Sequence, residues 1–197
     1  MRLSNEYLSA IQTLKSWIAD GNVSLETKSW KDGSQITETE NLAFVIQAIS
    51  QEELASIKIY TENKLPESYY HFLREIGSGQ FFIGEFLPSF EIYNNAELRE
   101  YNSMFQNEKQ DCEEITLDDF MIIGSDCAMG DWMGFCTTNM DEKNFDVYCH
   151  EYPIDDYVAT SDELNSWRTF EEWLIKAVET KGSETLLRLV TPTYQGL

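Results

Sequence analysis

Carboxylates dominate the residues of this chain that could do chemistry: 35 Asp and Glu stand against 14 Lys and Arg, a formal net charge of -21. Adjacent pairs occur at Glu113/Glu114, Asp118/Asp119 and Asp155/Asp156. Such pairs can hold Ca²⁺ or Mg²⁺, but the D-x-D-x-D-G spacing of a dedicated calcium loop is absent, so no metal site and no cofactor are expected. The cysteines Cys112, Cys127, Cys136 and Cys149 form no C-x-x-C pair, which argues against zinc and for reduced thiols. The two histidines are His71 and His150. His71 falls beside an apolar helical stripe and reads as a boundary residue; His150 ends a strand with no nucleophile or orienting group beside it. Cys149 and His150 cannot act as a pair, because neighbouring strand residues point to opposite faces. No G-x-S-x-G, P-loop, dinucleotide-binding glycines or H-E-x-x-H occurs. The expectation is a protein that binds rather than catalyses. An enzyme built on a carboxylate or metal site is a third reading, and turnover or metal-dependent stabilisation would be needed to support it.

The charge also constrains partners. A chain this acidic repels DNA, RNA and anionic lipid, so neither nucleic acid nor membrane is an expected partner. Acids concentrate between Glu97 and Asp119, and again between Asp141 and Glu163. Two readings stay open for these runs: a solvated face that keeps the protein soluble, or a surface that steers a basic partner. Trp132 follows Gly130-Asp131 at the lip of a turn among acids. It could be an anchor for a protein partner or the first core residue of its strand. No run of about 18 apolar residues and no charged-then-apolar N-terminus is present, so a cytoplasmic protein is expected.

The elements that must position these residues centre on the stretch from Asp118 to Thr138. Phe120-Met121-Ile122-Ile123 and Trp132 to Phe135, joined by a Gly- and Asp-bearing connection, predict a hairpin at the heart of a sheet. Gly130 is expected at positive φ, and Phe120, Ile122 and Phe135 against a core. Upstream, Ser4 caps a helix carrying Tyr7, Leu8, Ile11, Leu14 and Ile18 and ending at Gly21. A short hairpin across Lys31-Asp32-Gly33-Ser34 follows, and Leu42 to Ile49 fits strand or helix. Ser50-x-x-Glu53 is a capping box for a helix to about Asn63, with Leu54, Ile57 and Ile59 turned inward. Pro66 suits the first position of a helix whose stripe is Tyr69, Phe72, Leu73 and Ile76. Strands are predicted at Gln80 to Phe86, Phe90 to Tyr93 and Phe145 to Cys149. Helices are predicted after Asn94 (Leu98, Tyr101 and Phe105 on one face), after the Thr169 capping box, and from Ser183 to Val190. Trp17, Trp167 and Trp173 read as core. Helices, then strands, then helices give an α+β fold with a central, mostly antiparallel β-sheet flanked by helices.

Four stretches in order resemble the SUKH superfamily, the Smi/Knr-type domain of bacterial immunity proteins and yeast cell-wall regulators. Leu65-Pro66-Glu67-Ser68-Tyr69-Tyr70-His71-Phe72-Leu73 resembles its LP-x-x-Y-x-x-F-L helix. Ile122-Ile123-Gly124-Ser125-Asp126, then Gly130-Asp131-Trp132-Met133-Gly134-Phe135, resembles its IG-x-D-G-x-G-D hairpin. Val147-Tyr148-Cys149-His150-Glu151 is similar to its following strand. Val158-Ala159-Thr160-Ser161 with Phe170-Glu171-Glu172-Trp173-Leu174 is similar to its closing helix. Cys127-Ala128-Met129 replaces the usual small or glycine-rich turn, and Asp162 to Thr169 is an insertion. The resemblance places an N-terminal extension at 1–50, packed on the core, and a SUKH-like domain at 51–197. It implies no catalysis and, for bacterial members, binding of a cognate toxin domain, often a nuclease, whose basic cleft would suit an acidic partner. The expected contact residues are Glu113, Glu114, Asp118, Asp119, Asp131, Trp132, Asp155 and Asp156. The alternative is a regulatory scaffold that recruits cell-envelope or signalling proteins.

Overall fold

A computed structural model describes residues 2–85, 87–109, 120–127, 130–137, 142–148 and 166–183. Helix α1 (Asn5–Asp20) starts where the Ser4 hydroxyl accepts from the Tyr7 N–H and stops at Gly21, which has φ +82°. Tyr7, Ala10, Ile11 and Leu14 form its buried stripe. Strands β1 (Asn22–Lys31) and β2 (Ser34–Gln47) follow. Asp32 and Gly33 between them have φ +53° and +79°, the two positive angles that a type I′ turn requires. The expected short hairpin is therefore a long one, and Leu42 to Gln47 is strand.

Helix α2 (Gln51–Tyr60) is capped by the Ser50 hydroxyl, 3.1 Å from the Glu53 nitrogen. The reciprocal half of the expected capping box goes elsewhere: Glu53 Oε1 accepts from the Asn95 N–H at 3.3 Å, tying α2 to the next helix but one. Ile57 is buried, whereas Ile59 is 75% exposed and does not turn inward. Residues two apart on a helix lie about 200° apart, so both cannot face the core. Pro66 is the cap of α3 (Glu67–Glu75) rather than its first residue, and the predicted stripe of Tyr69, Phe72, Leu73 and Ile76 is buried.

Strands β3 (Ser78–Ile83) and β4 (Phe90–Ile92), helix α4 (Asn95–Lys109), strands β5 (Phe120–Asp126), β6 (Asp131–Cys136) and β7 (Phe145–Tyr148), and helix α5 (Phe170–Glu179) complete the described elements. The seven described strands form one sheet in chain order, and every neighbouring pair is antiparallel. Gly130 has φ +73°, as expected at its turn. The Thr169–Glu172 capping box of α5 is formed in both directions. The predicted helix from Ser183 to Val190 lies outside the described residues.

Residues directly opposite in register share a face of the sheet. On one face Phe81 stacks on Phe90 at 4.8 Å, and Trp173 of α5 packs on Phe90 at 4.9 Å and on Phe145 at 5.3 Å. Tyr69 and Phe72 of α3 meet Phe170 of α5 on the same side. Phe135, opposite Phe145, belongs to this face; Phe120 and Ile122, opposite Cys136 and Gly134, belong to the other. All three are buried as expected, but on two sides of the hairpin. Helix α4 meets the second side, where Asn102 bonds both backbone groups of Ile122.

Residues 1–47 are built into this arrangement. β2 pairs with β3, the Tyr7 hydroxyl donates to the Ser68 carbonyl at 2.6 Å, and the Ser4 hydroxyl donates to Glu171 at 2.6 Å. Trp173 is fully buried, and Trp17 and Trp167 are half-buried against the core. Among the described residues no helix is long and apolar enough to cross a membrane.

Candidate functional site

Among the described residues no group of three or more His, Cys, Asp or Glu is placed to hold a metal ion. Cys127 is a half-buried free thiol and Cys136 is buried; Cys112, Cys149 and His150 lie outside the described residues. Burial, with the Glu91 and Asp126 carboxylates nearby, pushes the Cys127 thiol up to about 11, so it stays protonated and a poor nucleophile at neutral pH. His71 Nδ1 lies 3.3 Å from the Tyr7 hydroxyl, and partial burial lowers its pKa. Among the described residues, neither stands in a set of nucleophile, base and orienting group of the kind that acid–base or nucleophilic work demands.

What the fold does assemble is a half-open strip on the second face of the sheet. Val45, Gln80, Glu91, Ser125 and Trp132 stand opposite one another in sequence across β2, β3, β4, β5 and β6. At about 4.8 Å per strand the row spans roughly 19 Å. Val45 is 63% exposed, and the other four are half-buried. Alternation puts Glu91 there, because Phe90 and Ile92 on either side of it are fully buried on the opposite face. The strip is bordered by Tyr93 and Tyr101, stacked at 4.4 Å, and the Tyr93 hydroxyl is hydrogen-bonded to that of Ser125. Beyond them Arg99 lies over the Tyr60 ring at 4.5 Å.

Glu91 is the electrostatic feature of this strip. Partial burial, then the Glu97 carboxylate, raise its pKa, and the Gln80 amide offsets this in part. No described ion pair reaches it. A carboxylate desolvated beside a like charge is destabilised until a cation arrives. With a half-buried tryptophan two strands away, the strip has an apolar end and an acid that a cationic side chain would relieve.

The expected contact residues distribute unevenly. Glu113, Glu114, Asp118, Asp119, Asp155 and Asp156 lie outside the described residues. Trp132 is in the strip, half-buried and packed against the core, so it is both a core residue and a partly open one. Asp131 is 3% exposed: it stands opposite Asp126 and in line with Phe90 and Phe81, on the helix-covered face. A carboxylate there does not face solvent. Glu91 escaped the sequence reading, although a single acid between two core residues of a short strand was a usable signal.

The model of the SMI1/KNR4 family (SUKH-1) matches residues 48–176. The chain belongs to the SMI1/KNR4 family. The SUKH-1 match spans α2 through most of α5 and so includes four of the five strip residues; Val45 on β2 lies just before it. A curated relative, immunity protein RhsIB of Dickeya dadantii (strain 3937), is 26% identical over 137 residues, covering 69% of this chain and 78% of that protein. No solved structure matches.

Proposed function

We propose that this SUKH-1 protein is a cytoplasmic immunity protein that binds and neutralises a cognate toxin domain without turnover, using the open strip of its sheet. Family membership and the relative named as an immunity protein support the role. The observation that carries the docking face is Glu91, a half-buried carboxylate above its ordinary pKa with no described ion pair, in one row with Trp132. Such a group lowers the stability of the free fold, which is expected where a partner supplies the missing cation. A basic, nuclease-like toxin fits both Glu91 and the net charge of -21. The acids at Glu113, Glu114, Asp118, Asp119, Asp155 and Asp156 would add long-range steering, and Trp132 would anchor the contact.

The test is growth rescue. Cells expressing a candidate toxin domain, sought first among the genes that neighbour this chain's own, should survive when the chain is co-expressed, with near 1:1 binding in vitro. Glu91→Gln and Trp132→Ala should each weaken binding by about tenfold or more. Rescue and affinity unchanged in the double variant would remove the strip from the reading. Failure of the unaltered chain to rescue, with several weak salt-labile envelope or signalling partners instead, would replace immunity by scaffolding.

A further inference from the structure

The arm formed by β1 and β2 leaves the body of the sheet. β2 meets β3 only from Ala43 to Gln47, while β1 and β2 pair from Asn22↔Ala43 out to Lys31↔Ser34. Among the described residues β1 pairs with β2 alone and ends the sheet. Most of the arm is exposed, and Trp30 near its tip is 75% exposed. A two-stranded ribbon free on both faces is marginal by itself, and a free edge rich in strand-forming residues is a template for a further strand. β1 contains Val23, Leu25, Thr27 and Trp30 and neither proline nor glycine.

We propose that β1 is a self-association edge, along which two copies of this chain pair their β1 strands antiparallel about a two-fold axis at Thr27. Charge order singles out this occupant. Lysine on a free edge ordinarily deters pairing. Here Lys28 sits two residues from Glu26, and neither belongs to a described ion pair. Two-fold pairing centred on Thr27 sets Glu26 opposite the second copy's Lys28 and Lys28 opposite its Glu26. It also sets Trp30 opposite Ser24. A register centred on Glu26 or on Lys28 would instead set that residue against its own copy, like against like, so the sequence prefers one isologous register. At the inner end of the edge the Ser24 carbonyl accepts from the Lys181 ammonium, and a second strand would take that acceptor over. Pairing from Ser24 to Trp30 gives strands roughly 24 Å long and turns each ribbon into half of a four-stranded sheet. The net charge of -21 per copy opposes approach of the bodies, so association is read near physiological salt, where the Debye length is about 8 Å.

Sedimentation velocity of the purified full chain, from about 1 to about 100 μM, measures the mass directly. The expected result is a concentration-dependent shift to twice the chain mass. Glu26→Lys alone and Lys28→Glu alone each create two like-charge pairs and should weaken the dimer about tenfold or more, whereas the double reversal E26K/K28E restores it. Circular dichroism melts of the variants establish that the monomer fold is kept. A chain that stays at monomer mass throughout overturns the proposal. So does a dimer whose affinity ignores both single reversals. A monomer that pairs only with a toxin strand would assign the edge to that partner instead.

Discussion

Asn102 should be worth more to this fold than its single position in α4 suggests. Its Nδ2 donates to the Leu98 carbonyl at 2.7 Å and to the Ile122 carbonyl at 2.8 Å, and its Oδ1 accepts from the Ile122 N–H at 3.0 Å. Ile122 is fully buried and precedes the irregularity of β5 between Ile122 and Gly124; β4 pairs with β5 only at Gly124, Ser125 and Asp126. The asparagine amide therefore stands where a neighbouring strand would have supplied the partners. Asn102→Ala orphans one buried donor and one buried acceptor, each costing about 1–3 kcal/mol. Some water entry at the irregularity relieves part of this, which leaves a loss of about 2–4 kcal/mol. For a chain of this size that lowers Tm by roughly 4–16 °C. Urea unfolding at neutral pH, followed by tryptophan fluorescence, measures it with m expected to be unchanged. Asn102→Asp should be worse at neutral pH, because a carboxylate cannot donate to either carbonyl, and should recover partly in acid. A loss below about 1 kcal/mol for Asn102→Ala would refute the idea that this side chain substitutes for a strand.

Three further outcomes follow from particular contacts. Glu91 titrates above its unfolded value, so the folded state binds its proton more tightly and loses stability as pH rises through that raised pKa; Glu91→Gln should stabilise the chain at neutral pH, with the gain vanishing in acid, as thermal melts across pH would register. Gly79 has φ +124°, and a Cβ there would sit 2.1 Å from the Val45 carbonyl oxygen, so Gly79→Ala should destabilise by roughly 2–4 kcal/mol in chemical denaturation. Arg168 and Asp146, 4% and 6% exposed at their side chains, pair at 2.7 Å; Arg168→Met removes the counter-charge of the buried Asp146 carboxylate, which keeps the Ser166 hydroxyl and the Val147 N–H as donors, and should cost roughly 3–5 kcal/mol, and the double variant with Asp146→Asn should recover much of that in a mutant cycle.

By itself the sequence determined the local starts, stops and stripes. Ser4 and Gly21 bound α1, Thr169 and Glu172 box the start of α5, and Tyr69, Phe72, Leu73 and Ile76 define the buried side of α3. These features rest on hydrogen bonds and periodicities within a few residues, so they can be read along the chain. The same holds for Gly130 and for the order of motifs that marks the family, which the match over residues 48–176 carries.

Tertiary structure alone decided which side chains meet and which face solvent. Asp131 and Trp132 are neighbours in sequence, yet register places Asp131 with Phe90 on the helix-covered face and Trp132 with Glu91 on the open one. The shift between Ile122 and Gly124 means that alternation counted from Phe120 misassigns the end of β5. Glu91, Gln80 and Val45 converge from three strands with no shared local pattern. Trp30 is composition-typical of a core residue but sits on an arm that has left the body of the sheet. Faces and neighbours in a sheet are set by cross-strand pairing between distant segments, and that information is absent from any short window of the chain.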